Sequence, residues 1–355
     1  MRLSLARPAL CLAGLGLLAA GTPAALGASR TITIDGWADR AVVFSGSQLV
    51  WTEAATVHVD PKKIAGSPPG AAPFDYYRAE AFRVGLNSGS RLFRTGAPEN
   101  PVSVRTSVAA MGAGILSPTG DGGFVMVPRT SGVAPPVIHC CDDEDTETVL
   151  ESDGHADAPV TIAATWDVGS VAWVQIGPGG LQQQRRASPL TPSAVTTIPG
   201  TTPAVAGLVA ISPSGLAWVD PAAPTTLQVQ ASGAATAVPV ALPGPALRVW
   251  SATNVIAVAV RSGSRIALLR IDQPALRATR VWTGTTVPRV AVGGGAVAVA
   301  EARRVLAARR GSLKVLARTG RAIEAVGIDG RRVAWIDRGV RRRARVAVVH
   351  LGVAR

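Results

Sequence analysis

Ile211-Ser212-Pro213-Ser214-Gly215-Leu216-Ala217-Trp218-Val219-Asp220 is the stretch whose reading decides the fold. A tight turn leads into an apolar–Ala–aromatic–apolar run, and an acid follows. The same order returns as Leu49-Val50-Trp51-Thr52-Glu53, Val171-Ala172-Trp173-Val174-Gln175 and Val333-Ala334-Trp335-Ile336-Asp337. Degenerate copies are Phe124-Val125-Met126-Val127, Ile256-Ala257-Val258-Ala259 and Val297-Ala298-Val299-Ala300-Glu301. Their third positions fall at 51, 126, 173, 218, 258, 299 and 335, so the spacings are 75, 47, 45, 40, 41 and 36 residues. Fixed-period self-similarity near ~40–45 residues is the signature of a blade of four strands repeated around an axis.

Working outward from Trp218, short β-branched or alternating runs occupy 226–230, 237–241, 246–250, 265–270, 279–282 and 287–292. Gly, Pro, Ser and Asn separate them, which is the grammar of strands and turns. The Ala/Arg-rich 301–310 reads as strand edge and turn rather than helix. The expected fold is therefore all-β: a β-propeller of four-stranded antiparallel blades, seven in number within a range of six to eight. The long first spacing implies an insertion, with the Pro/Gly-rich 60–74 as its natural place, or a further blade. The C-terminal blade looks one or two strands short, and 31–34 with 41–44 would complete it, hiding edges that invite aggregation. The marker segments are expected on the innermost strands, where Ala permits close approach and Trp fills the wedge between sheets.

Ile211-Ser-Pro-Ser-Gly-Leu-Ala-Trp218 resembles the Ser-Pro-Asp-Gly-x-x-aliphatic-Ala-aromatic repeat of TolB-type and related WD-repeat-like propellers. Leu116-Ser-Pro-Thr-Gly120 follows it less fully, and Ser214 and Thr119 stand where that family has Asp. The resemblance implies the fold and a binding platform of some kind. It implies no particular activity, because function lives in sites rather than in folds.

The N-terminus reads as an export signal. Arg2 and Arg7 precede an apolar run from 9 to 20, and Ala25 and Gly27 fit the small positions before a cleavage site. Residues 1–28 are expected to be removed, leaving a single propeller domain over 29–355. The expected location is secreted, either extracellular or in the cell envelope, with no transmembrane segment after cleavage and a monomeric chain. Cys140 and Cys141 are the cysteines left after Cys11 goes with the signal, so a disulfide-rich scaffold is excluded. A vicinal bridge between them, free thiols and a bridge to another chain are the alternatives.

Charge is the most informative feature. The formal net charge is +13, and 36 Lys and Arg stand against 23 Asp and Glu. From 261 to 355 there are 21 basic and 5 acidic residues, a net of +16, whereas 29–260 holds 13 basic and 18 acidic, a net of −5. One sector of the ring should attract anions through its summed field. The candidate binding residues are Arg331, Arg332, Arg341, Arg342 and Arg343, beside the pairs Arg303-Arg304 and Arg309-Arg310. The expected partner is a protein or a polyanionic surface, such as lipid head groups, wall polymers or acidic glycans. Export argues against nucleic acid. An Arg-rich, solvated outer surface with no ligand is the plain alternative.

Catalytic and metal signals are sparse. Asp142-Asp143-Glu144-Asp145 with Glu147 lacks the alternate-ligand spacing and the sixth-position Gly of an EF-hand loop. His58, His139, His155 and His350 form no metal-spaced pair, and Gly293-Gly294-Gly295 lacks the strand-to-helix context of a phosphate loop. No cofactor or metal is expected. Asp220, Glu301 and Asp337 follow marker strands at equivalent positions, with Glu53 a fourth, and are the candidate catalytic acids if they converge at one mouth of the channel. The sequence thus supports a secreted non-catalytic binding or scaffold module docking through its basic C-terminal blades. The alternative is a glycan- or lactone-processing hydrolase or lyase using those carboxylates.

Overall fold

Apolar runs of four to eight residues, too short for helices and punctuated by turn formers, leave the backbone only strands in which to satisfy its hydrogen bonds. A computed structural model describes residues 31–35, 37–46, 48–63, 65–66, 68–70, 72–85, 113–118, 124–128, 137–140, 146–149, 160–167, 170–176, 182–187, 195–197, 207–341 and 344–353. The expected export signal at 1–28, Cys141 and the acidic 142–145 lie outside the described residues.

After β1 (Thr31–Asp35), the first sheet holds β2 (Trp37–Ser45), β3 (Gln48–Val59) and β4 (Phe74–Gly85). The second holds β5 (Ala113–Pro118), β6 (Phe124–Pro128), β7 (Val137–Cys140) and β8 (Thr146–Val149). The third holds β9 (Val160–Asp167), β10 (Ser170–Ile176), β11 (Gln182–Ala187) and β12 (Val195–Thr197). The fourth holds β13 (Val209–Ser212), β14 (Gly215–Val219), β15 (Thr226–Ala231) and β16 (Val238–Ala241). The fifth holds β17 (Ala246–Ala252), β18 (Val255–Ser262), β19 (Arg265–Asp272) and β20 (Arg277–Gly284). The sixth holds β21 (Arg289–Gly293), β22 (Ala296–Glu301), β23 (Arg304–Ala308) and β24 (Lys314–Arg318). The seventh holds β25 (Ile323–Asp329), β26 (Arg332–Arg341) and β27 (Ala344–Val353), and β1 is its fourth strand.

Seven antiparallel sheets thus stand among the described residues. Thr31 opposite His350 through Asp35 opposite Val346 set the register by which the first described strand joins the last. The segment 31–34 joins the C-terminal sheet, beside β27. The segment 41–44 does not: it lies in β2, within the first sheet, and packs against β25 instead. Among the described residues no helix is long and apolar enough to cross a membrane.

The first strand of each sheet meets the first strand of the next, from β2 through β5, β9, β13, β17, β21 and β25 and back to β2. These strands line the axis. The markers are one strand further out: Trp51, Met126, Trp173, Trp218, Val258, Val299 and Trp335 lie on β3, β6, β10, β14, β18, β22 and β26, each the second strand of its sheet. The physical reason is coverage. An axial strand has one edge without a neighbour in its sheet, whereas a second strand is paired on both edges and packed on both faces. Thus β14 is buried throughout and β18 over its first six residues; of the axial strands, β13 is buried throughout and β25 over most of its length, while β17 and β21 are mostly half-buried, and the outer β20 and β24 are largely exposed. Continuous apolarity reports double-sided burial, which here the second strands share with the axial strands β13 and β25.

Crowding at the axis explains two glycines. A Cβ on Gly293 of β21 would overlap the carbonyl oxygen of Ile328 on β25, and one on Gly327 of β25 would overlap that of Val42 on β2. Between sheets lie buried apolar layers. One joins Ala217, Val219, Leu227 and Val229 of the fourth sheet to Ile256, Val258, Val260 and Leu269 of the fifth. Another joins Ala298, Ala300 and Val305 of the sixth to Ile323, Ile328, Val333 and Trp335 of the seventh.

Candidate functional site

Antiparallel strands reverse at every turn, so successive turns alternate between the two ends of a sheet. One face of the ring therefore collects the turns between second and third strands together with the links from each sheet to the next. The other collects the turns between first and second and between third and fourth strands. On the former, Arg261 and Arg265 flank the β18–β19 turn, Arg289 opens β21, Arg303 and Arg304 form the β22–β23 turn, and Arg318 and Arg321 bracket the link to β25. All seven are exposed. The turns and links of this face between 261 and 321 contain a single acid, Glu301, whose carboxylate is ion-paired to Arg304. Arg341 ends β26 on the same face.

The opposite face carries exposed Arg277, Arg309, Arg310, Lys314 and Arg331, half-buried Arg332, and two acids, Asp272 and Asp329. Here the acids are engaged. Arg332 is ion-paired with Asp329 and lies over the Phe44 ring, 5.1 Å from its centroid, so it ties the seventh sheet to the first. Arg270, 7% exposed, donates from Nε to Asp272 Oδ1 at 2.8 Å and from a guanidinium nitrogen to the Arg309 carbonyl, joining the fifth sheet to the sixth.

The candidate arginines named from sequence are thus not one cluster. Arg331 and Arg332 lie at one end of β26 and Arg341 at the other, about 30 Å apart at the usual rise per residue of a strand. Arg342 and Arg343 lie outside the described residues. The neighbourhood that does form runs from Arg261 to Arg321 and shares only Arg303 and Arg304 with the candidates that the sequence offers. Turn parity would have found it, since numbering the strands and alternating the turns assigns each arginine to a face.

The three candidate acids have separate surroundings. Asp220 accepts through Oδ1 from the Ala222 amide at 2.8 Å, while its carbonyl accepts from the Ala223 amide at 2.9 Å, so it shapes the turn after β14. Glu301 Oε1 accepts from the indole Nε1 of Trp282 on β20, and Oε2 meets Arg304. Asp337 is buried within β26, opposite Ile323 of β25 and Val348 of β27. All three follow or sit on second strands, one strand removed from the axis. Cys140 closes β7 opposite Thr146, and its side chain, like all of Cys141, is outside what is described. Among the described residues no three His, Cys, Asp or Glu side chains gather as a metal site would require.

The turn that carries the family resemblance has its own use. Ser214 Oγ accepts from the Asn254 amide at 3.1 Å and Ser212 Oγ bonds Ser251 Oγ at 3.0 Å, so this turn is fastened to the matching turn of the next sheet. A Ser at the usual Asp position still supplies the acceptor.

No family model matches the sequence. No curated protein matches it either. Solved structures do resemble it. An oligogalacturonate lyase in complex with manganese is 10% identical, with 92% of this chain and 98% of that chain covered at a TM-score of 0.52. The β-propeller domain of the trilobed protease from Pyrococcus furiosus, described as having an open velcro topology, is 9% identical, with 90% and 94% covered at a TM-score of 0.51. At such identities the likeness speaks to architecture alone, and with the sheet order above it gives the conclusion: the chain has the β-propeller fold.

Proposed function

We propose that this protein is an exported, non-catalytic binding module that holds an anionic polymer or surface on its arginine face. The observation that carries the reading is the gathering of Arg261, Arg265, Arg289, Arg303, Arg304, Arg318 and Arg321, all exposed, on one face across consecutive sheets with a single acid among them. Guanidinium groups suit this role, because each offers a rigid fork of donors that matches carboxylate or phosphate oxygens. A carboxylate-driven hydrolase or lyase would need its acids available to substrate at one mouth of the ring. Glu301 has both oxygens engaged by Trp282 and Arg304, and Asp220 is part of its own turn.

The test is binding to an immobilised polyanion as salt rises from about 0.1 M to about 1 M, over which the screening length falls from about 10 Å to about 3 Å. Binding should be lost at high salt. Serine at Arg303, Arg318 and Arg321 together should weaken low-salt binding about tenfold, equivalent to roughly 1.4 kcal/mol. Serine at Arg309, Arg310 and Lys314, on the opposite face, should leave it unchanged. Binding indifferent to salt, or equal losses from the two triple variants, would overturn the assignment.

A further inference from the structure

Four arginines of the sixth sheet are held at one corner of the arginine face. Ala302 and Arg303 make the tight turn between β22 and β23, and Glu301 and Arg304 close it as a directly opposed pair. Arg304 is in turn directly opposite Arg318 on β24, so Glu301, Arg304 and Arg318 form one row across three strands. The link that follows β24 folds back onto the turn. The Thr319 amide donates to the Arg303 carbonyl at 2.9 Å, and Thr319 Oγ1 donates to the Arg321 carbonyl at 2.6 Å. The Ile323 amide donates to the Ala302 carbonyl at 2.9 Å. Arg303, Arg304, Arg318 and Arg321 are therefore gathered at one hydrogen-bonded corner, and all four are exposed.

Such a corner is unfavourable by itself, because like charges directly opposite on neighbouring strands repel. Among the described residues the one acid paired with any of the four is Glu301, which meets Arg304. Arg303, Arg318 and Arg321 have no ion pair there. On the opposite face, by contrast, Arg270 and Arg332 each have an aspartate of their own. Three guanidinium charges thus stand unmatched on a backbone already fixed by hydrogen bonds. One guanidinium fork fills both oxygens of a carboxylate. A phosphate monoester offers three acceptor oxygens and a charge of about −1.5 to −2 at neutral pH, so it engages several forks at once and offsets most of the excess. A sulfate ester has the same shape but a smaller charge.

Resting on the binding reading above, we infer that this corner is the anion subsite of the face and that it takes a phosphate monoester group carried by a polymer. Shape points to a polymer. On the same face the β3–β4 ladder runs five pairs past Ala54, where the pairing of β3 with β2 stops, and so stands about 17 Å beyond its sheet. A flat lipid surface meets that hairpin before it reaches the corner, whereas a chain passes beside it.

The experiment measures binding of the full chain, at about 0.15 M salt, to dextran carrying phosphate monoesters, sulfate esters or carboxymethyl groups, matched in total charge. The phosphorylated polymer should bind at least about tenfold more tightly than the other two. Arg303→Gln with Arg321→Gln should bring the three polymers to within about twofold of one another. Arg318→Gln, on a different segment, should lower the preference in the same direction, so the outcome does not hang on one turn. Arg261→Gln with Arg265→Gln removes as much charge from the same face and should weaken all three polymers together, leaving the preference in place. Equal binding of the three polymers to the unaltered chain, or an equal loss of preference from the Arg261 and Arg265 variant, would overturn the phosphate subsite. Salt-sensitive binding without preference would leave the broader reading standing, whereas no binding to any polymer would overturn both. Tighter binding to phosphatidic acid vesicles than to phosphorylated dextran would overturn the polymer source.

Discussion

The indole Nε1 of Trp282, on the outermost strand of the fifth sheet, donates to Oε1 of Glu301 at the end of the second strand of the sixth. This bond runs between sheets beside the buried apolar cluster of Leu268, Val281, Val299 and Leu306, against which Trp282 packs. Glu301 keeps 20% of its side-chain surface exposed, and Arg304 meets its other oxygen. An acid that in sequence resembled a catalytic group is here a tie between blades.

Trp282→Phe removes the donor and some packing, leaving a half-covered carboxylate short of one bond, and should cost about 1–3 kcal/mol. Glu301→Gln keeps an acceptor for the indole and gives up only an ion pair whose arginine is 45% exposed, so it should cost no more than about 1 kcal/mol. Denaturant midpoints of the two variants decide the matter, and the reverse order would mean that the ion pair, not the indole bond, is what matters.

Gly327→Ala and Gly293→Ala place a methyl against backbone carbonyls of adjacent axial strands, which rotamer changes cannot relieve. Each should lower stability by about 1–3 kcal/mol, as overpacking does. Gly320→Ala is the control: nothing lies within 4 Å of its added Cβ, so it should stay within about 0.5 kcal/mol. Equal thermal midpoints for Gly320→Ala and Gly327→Ala would show that the axial strands separate freely.

Arg270→Met keeps an apolar side chain of similar length and removes the bonds to Asp272 and to the Arg309 carbonyl. Because Asp272 is 49% exposed, water can replace one of these bonds, and the expected cost is about 1–3 kcal/mol. Arg265→Met, at the exposed start of the same strand, should be neutral within about 0.5 kcal/mol. Urea titration of both variants checks the contrast.

Much of the architecture was legible from particular residues. The strands read around Trp218 recur with small shifts: 226–230 became Thr226–Ala231 and 246–250 became Ala246–Ala252. Pro239, awkward in a central strand, falls on the edge strand β16. The Trp markers are legible in the sequence as buried positions but not as second rather than innermost strands, because apolarity reports coverage on two faces and not distance from an axis. The binding surface was legible only as net charge. Arg331 and Arg341 look adjacent in a list of basic residues, and a ten-residue strand puts them on opposite faces.

The order of residues along this chain determined the repeat, the strand content and the concentration of arginine in the last sheets, since alternation, turn formers and charge are local properties. Tertiary structure decided which face each arginine occupies, that Glu301 answers to Trp282, and that 31–35 joins 346–350 across nearly the whole chain. Those relations depend on strand direction and on sheets brought side by side, and neither is a property of any single segment.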